Sequence, residues 1–205
     1  MSDKWIDWAR RIQSVGQSGL AFSKDIFDRE RYEELLNISA EMMADHSGLE
    51  VDAIKAMFAE ESGYQTPKVD VRGVAFREGK ILLVKEKMDD RWALPGGFGD
   101  VGLSPSENVT KELKEETGYD VEPVKLLAVL DSNKYPLQRQ PFHYYKLFIQ
   151  CKIVGGHAEK GIETKGIAFF GEDELPPLSY RRNTETQLRL MFEFDRNPDK
   201  QAAID

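Results

Sequence analysis

A chain of 205 residues is long enough to bury a sizeable core and suggests one or two domains. Its 28 basic and 36 acidic residues leave a formal net charge of −8, which argues against a broad grip on the phosphate backbone of DNA or RNA, although a local basic cluster stays open. One cysteine, Cys151, allows no intramolecular disulfide and suits a reducing compartment. With no N-terminal apolar signal and no run of about eighteen apolar residues, the expectation is a soluble, cytoplasmic protein without a membrane span.

Residues 1–66 read as a separate helical domain. Trp5, Ile6, Trp8 and Ile12 recur at helical spacing, and the apolar residues of FDRERYEELLNISAEMMADHSG again recur every three or four. Gly48 is a stop signal, and a further helix is predicted from about Val51 to Glu61. The tryptophan stripe has two readings: core packing within the chain, or an aromatic interface with another copy.

Pro67, in YQTPK, marks the boundary to a second domain over 67–205, where the period becomes that of strands. Val69–Phe76 and Lys80–Lys85 read as a hairpin about Glu78-Gly79. Trp92-Ala-Leu-Pro95 then leads into Gly96, Gly97 and Gly99, which let the backbone bend close to an ion or phosphate. Ser104 is a helix N-cap, with Pro105 at the first helical position and Glu107 completing a capping box; Gly118 closes that helix. Val124–Asp131, His143–Ile153 and Gly166–Phe170 read as strands, and Thr184–Phe194 as a final helix. Cys151 is a small residue inside an apolar strand.

Three glutamates share the helix behind the glycines. Relative to Glu112, Glu116 lies about 40° round the helical wheel and Glu115 about 60° the other way. A solvated face neutralised by Lys111 and Lys114 would explain three such charges. However, Val109 and Leu113 fall about 60° and 100° from Glu112, on the side of Glu116. Glu112 and Glu116 therefore border the buried stripe, where a pair of carboxylates is costly unless protonated, paired or holding a cation. All-oxygen ligation of that kind suits Mg2+ or Mn2+.

The segment from Gly96 to Gly118, GGFGDVGLSPSENVTKELKEETG, resembles the Nudix box, the signature of hydrolases that cleave nucleoside diphosphates linked to another group. The box covers about residues 97–119: Gly97, Glu112, Leu113, Glu115, Glu116, Gly118 and Tyr119 fall in register. Two positions depart, Leu103 where the family has a glutamate and Lys111 where it has an arginine. The resemblance implies an α/β fold, the Nudix α/β/α sandwich with a mixed sheet. It also implies hydrolysis of a diphosphate bond, with Glu112 and Glu116 and the carbonyl of Gly96 as metal ligands. Glu112 or Glu115 would serve as base or water-positioning group. Because Leu103 cannot bind metal, the number of ions is left open.

The N-terminal segment KWIDWARRIQSVGQSGLAFSKDIFDRERYEEL and the later EDELPPLS are similar to a bacterial group of CDP-choline pyrophosphatases. That similarity implies cleavage of CDP-choline to CMP and phosphocholine by a homodimer, with ADP-ribose or RNA ends as alternative substrates. Outside the box, Lys134 and Arg139 in a proline-bounded loop are candidates to grip a diphosphate, and also ordinary loop cations. His143 and Tyr145 are candidates to line the pocket, Tyr145 as part of an aromatic face for a quaternary ammonium. A lone histidine beside aromatic residues is more often structural. Glu163, before the last strand, and Asp100, in the turn, are further carboxylates that could serve the site or merely the surface. Two other classes are a nucleotide sensor without turnover and a structural dimer built on the N-terminal helices.

Overall fold

The computed structural model describes residues 4–59, 61–135 and 141–205. It divides into two compact units, Met1–Pro67 with Arg139–His143, and Lys68–Gln138 with Tyr144–Asp205.

The first unit holds three helices, α1 (Lys4–Phe22), α2 (Ile26–Ser47) and α3 (Val51–Ala59). Asp25 caps α2 by accepting from the Phe27 and Asp28 amides, and Gly48 ends it in the left-handed conformation at φ 72°. The helices α1 and α2 run antiparallel. Ser39 bonds the Ala9 carbonyl at 2.8 Å near one end, and a Cβ on Gly19 would strike the Tyr32 ring at the other. Ala9, Ala40, Met43, Ile54 and Phe58 form the core, with Trp5 and Phe142 packed against it. Of the tryptophan stripe, Trp5 stacks on His46 at 4.4 Å and packs on this core, whereas Trp8 is 53% exposed.

The second unit is a sandwich of two sheets with helices against them. One sheet has the order β1 (Lys68–Val74), β6 (Tyr144–Gly156), β5 (Tyr119–Asp131), β8 (Ala203–Ile204). Its ladders are mixed: β1 runs parallel to β6, β5 antiparallel to β6 and β8 parallel to β5. The other sheet has β3 (Lys80–Glu86) between β7 (Thr164–Phe170) and the short strands β2 (Phe76–Arg77) and β4 (Trp92–Ala93). Helix α4 (Pro105–Thr117) seats Val109 and Leu113 among Ala75, Leu82, Tyr119 and Ile149. Helix α5 (Glu185–Arg196) seats Leu188, Met191, Phe192 and Phe194 in a second cluster with Phe148 and Leu127. The capping box of α4 is present in full, Ser104 accepting from the Glu107 amide and Glu107 from that of Ser104.

Three expectations change. The hairpin shrinks to β2 and β3, paired at Phe76↔Ile81 and Arg77↔Lys80 about Glu78 and Gly79, both at positive φ. The preceding residues instead form β1, buried without interruption from Asp70 to Val74, as a strand covered on both faces requires. Strand β5 starts at Tyr119 and not Val124, because a register shift beside Pro123 absorbs the missing amide. The two-residue β8 has too little pattern to be read from sequence.

Candidate active site

The backbone from Pro95 to Gly99 lies along β1. Gly73 and Val71 donate to the carbonyls of Pro95 and Gly97 at 2.9 and 2.8 Å, and Gly99 donates to Val69 at 3.0 Å. The approach at Gly96 is too close for any side chain: at φ 139°, a Cβ there would lie 2.1 Å from the Val71 carbonyl oxygen. The Gly96 amide points instead into α4 and donates to Glu116 Oε2 at 2.8 Å. One turn earlier, Glu112 borders Gly97, whose Cβ would lie 2.8 Å from Glu112 Oε1. Two carboxylates thus meet the glycine turn from one helix face.

Burial separates the three glutamates as the wheel does. Glu116 is 7% exposed, Glu112 is half-buried, and Glu115 faces solvent, 3.8 Å from Lys111. Burial pushes the Glu116 carboxyl up to about 7, against the opposing pull of Arg72 and the Gly96 amide; the charges of Glu86 and Glu112 push it further. Burial also raises Glu112, opposed by Arg72 and Lys111. Lys111 makes its closer contact with Asp100, at 2.7 Å, so Asp100 braces the turn to the helix.

Behind the glutamates is a buried ionic network that the sequence did not reveal. Asp70 pairs with Arg72 at 2.8 Å and with Lys146 at 2.6 Å, all three being nearly inaccessible. Arg72 Nη1 donates to the Leu94 carbonyl, while its Nε is buried without a hydrogen-bond partner. Burial alone would raise the Asp70 carboxyl, but the two cations outweigh it and hold it below the usual range. Lys146 also donates to the Arg182 carbonyl, and Arg182 Nε lies 2.9 Å from Glu86 Oε1, close but not aligned as a hydrogen bond. Burial raises Glu86. The available signal was spacing: Asp70 and Arg72 are two apart on one strand face, opposite Lys146 in β6.

Other anticipated residues are distributed more widely. Glu163 is exposed; its carbonyl accepts from the Lys87 amide, and its charge reaches Glu86. The adjoining Thr164 bonds the Glu116 carbonyl at 3.0 Å, which brings this segment against the end of α4. Lys134 is exposed in a 3-10 turn, Ser132–Lys134, after β5. Tyr145, in β6, is 42% exposed, whereas Tyr144 is buried and stacks on Phe98 of the glycine turn at 5.6 Å. His143 belongs to the first unit and precedes β6. Arg139 lies outside the described residues.

Among the described residues, no three His, Cys, Asp or Glu side chains converge on one point. The donor set suits a hard divalent cation nonetheless. Magnesium is held by one or two carboxylates and retains several waters, and here Glu112 and Glu116 would supply the carboxylates and the Gly96 carbonyl a further oxygen. The cost of burying Glu116 also favours a cation beside it.

Residues 60–191 match the family model of the NUDIX domain, and residues 3–58 match a model described as a UDP-X-like N-terminal oligomerisation domain. A Bacillus subtilis protein named "Putative ADP-ribose pyrophosphatase YjhB" is 58% identical, over 98% of this chain and 97% of its own. A solved ADP-ribose pyrophosphatase from Streptococcus suis is 43% identical, with a TM-score of 0.63 over 68% of this chain and 100% of that one. A solved UDP-X diphosphatase is 38% identical, with a TM-score of 0.65 over 98% of both chains.

Proposed function

This chain belongs to the NUDIX family of hydrolases, and from that premise we propose that it cleaves the diphosphate bridge of a nucleoside diphosphate linked to another group. The carrying observation is Glu116, buried, anchored on the Gly96 amide and flanked by Glu112. Water adds to one phosphorus and the bridging P–O bond breaks, giving two phosphate monoesters. A bound Mg2+ or Mn2+ ion would supply neutralisation of the phosphate oxygens and activation of water. Glu112 and Glu116, with the Gly96 carbonyl, would hold that cation in place. Glu115, exposed at the edge of the pair, and Glu163, beside the end of α4, are the groups proposed to position water or accept its proton.

Within this class we keep CDP-choline as the expectation from sequence, with Tyr145 as the exposed aromatic for its ammonium and Lys134 as a cation for its phosphates. ADP-ribose is the second reading, supported by the names of the Bacillus subtilis and Streptococcus suis relatives. The described N-terminal model supports a homodimer through the helical unit, and the lone buried Cys151 suits the cytoplasm. No described helix is long and apolar enough to cross a membrane.

The test is a hydrolysis screen of CDP-choline, ADP-ribose, UDP-linked sugars and short 5′-diphosphorylated RNA with Mg2+ and Mn2+, with products identified by mass. Glu116→Gln should abolish metal-dependent turnover while leaving the circular dichroism spectrum unchanged. Full turnover in that variant would remove the reading.

A further inference from the structure

The segment Leu178–Asn183 joins the sheets to α5 and is tied down along its length. Ser179 donates to the Trp92 carbonyl at 2.8 Å, and the Leu94 amide donates to Asn183 Oδ1 at 2.8 Å, two residues before Gly96. This concentrates Tyr180, Arg181 and Arg182 beside the glycine turn, in a chain whose net charge is −8. Arg91 adds to the cluster by lying over the Tyr180 ring at 5.8 Å.

Within that cluster Arg182 is held in a particular way. Its main-chain oxygen is fixed by Lys146, whose ammonium also holds Asp70 and through it Arg72. Its Nε lies against the buried Glu86 at the end of β3, and Glu86 in turn acts electrostatically on Glu116. The Arg182 side chain nevertheless keeps 23% of its surface open, whereas that of Glu86 keeps 2%. The guanidinium Nε therefore lies against a buried carboxylate whose charge also acts on Glu116, while part of the Arg182 side chain stays open to solvent. A planar donor fork of this kind suits two oxygens of a diphosphate.

We propose that Arg182 is a substrate-binding residue that grips the diphosphate, with Glu86 as the buried residue that orients it. The inference rests on the reading of Glu112 and Glu116 as the hydrolytic centre and names a group that presents substrate to it. Among the described residues, the exposed Lys134 has no comparable buried carboxylate to fix its direction.

The experiment measures binding of ADP, as a bare nucleoside diphosphate, to the full chain in the presence of Mn2+, alongside binding of Mn2+ alone and thermal stability. Arg182→Gln should weaken ADP about tenfold or more, as expected for loss of a charged hydrogen-bonding group, while Mn2+ binds as before. Arg182→Lys should recover only part of that affinity. Because Arg182→Gln also strands Glu86, the double variant Glu86→Gln with Arg182→Gln provides the control. It should regain melting temperature without regaining ADP affinity. Unchanged ADP affinity in Arg182→Gln, affinity restored in the double variant, or no ADP binding by the parent protein would each overturn the assignment. Loss of Mn2+ binding in Glu116→Gln, with those results, would leave the hydrolytic centre standing and Arg182 alone refuted.

Discussion

The main-chain amide of Gly96 donates to Glu116 Oε2 at 2.8 Å, so one hydrogen bond joins the glycine turn to the box helix. The turn permits this only without a side chain, since Gly96 has φ 139° and a Cβ would lie 2.1 Å from the Val71 oxygen. Gly96→Ala is expected to cost about 3 kcal/mol or more through strain and collision, and to remove metal-dependent turnover. Gly102→Ala is the comparison: φ is 91°, but nothing lies within 4 Å of its Cβ, so only backbone strain of about 1 kcal/mol applies. Urea denaturation of both variants checks the contrast, and equal losses would refute it.

The Glu116 carboxyl, raised to about 7 from an ordinary 4.5, makes metal-free stability depend on pH. Between those values the folded state holds a proton that the unfolded state has released. The resulting penalty is fully present above about pH 7 and is relieved as pH falls towards 4.5. Its size is up to about 3 kcal/mol. Metal-free Glu116→Gln should therefore be more stable than the parent at pH 8, with the difference shrinking by pH 5. A pH-independent difference in chemical denaturation would contradict this.

Asp70 is the anion shared by two buried cations, Arg72 at 2.8 Å and Lys146 at 2.6 Å. Asp70→Asn leaves those two buried cations without the carboxylate they share. The expected loss is about 3–5 kcal/mol, with lost turnover because Arg72 lies under the glycine turn. Denaturation midpoints at constant m-value measure it; a loss below about 1 kcal/mol would mean the network relaxes freely.

Cys151 is buried, and burial pushes its thiol up to about 12. It should resist a disulfide reagent at pH 8 in the native protein and react stoichiometrically in denaturant. Labelling under native conditions then reports opening of the β5 and β6 region. Rapid labelling of the native protein would refute the buried placement.

Local chemistry was legible in the sequence because it is complete within a few residues. Ser104 and Glu107 read as a capping box, Gly118 as a helix stop, and Val109 with Leu113 sorted Glu112 and Glu116 from Glu115; each agrees with the structure. Partners far along the chain were not legible. The alternation in KVDVRGV suggests a strand with Val69 inward and Asp70 outward, yet Val69 is 44% exposed and Asp70 3%. The polar face is interior because Lys146 lies opposite it, and no local pattern carries that fact. Pro123 concealed the first half of β5 for the converse reason, since a strand-breaking residue is tolerated at a bulge. Nothing local to Arg182 singles it out, because Glu86, 2.9 Å from its Nε, is distant in sequence.

The parallel pairing of β1 with β6 also bears on how the protein reaches its native state. Asp70 and Lys146 are 76 residues apart, and the whole glycine turn and box helix lie in the loop that their contact closes. A closure of that length costs chain entropy before any contact repays it, and slows folding relative to local pairings. The hairpin of β2 and β3 and the capped helix α4 can form early, but Glu116 meets its buried surroundings only when β6 docks. Catalytic competence should therefore appear with the slowest folding phase and vanish in the first species to lose β6.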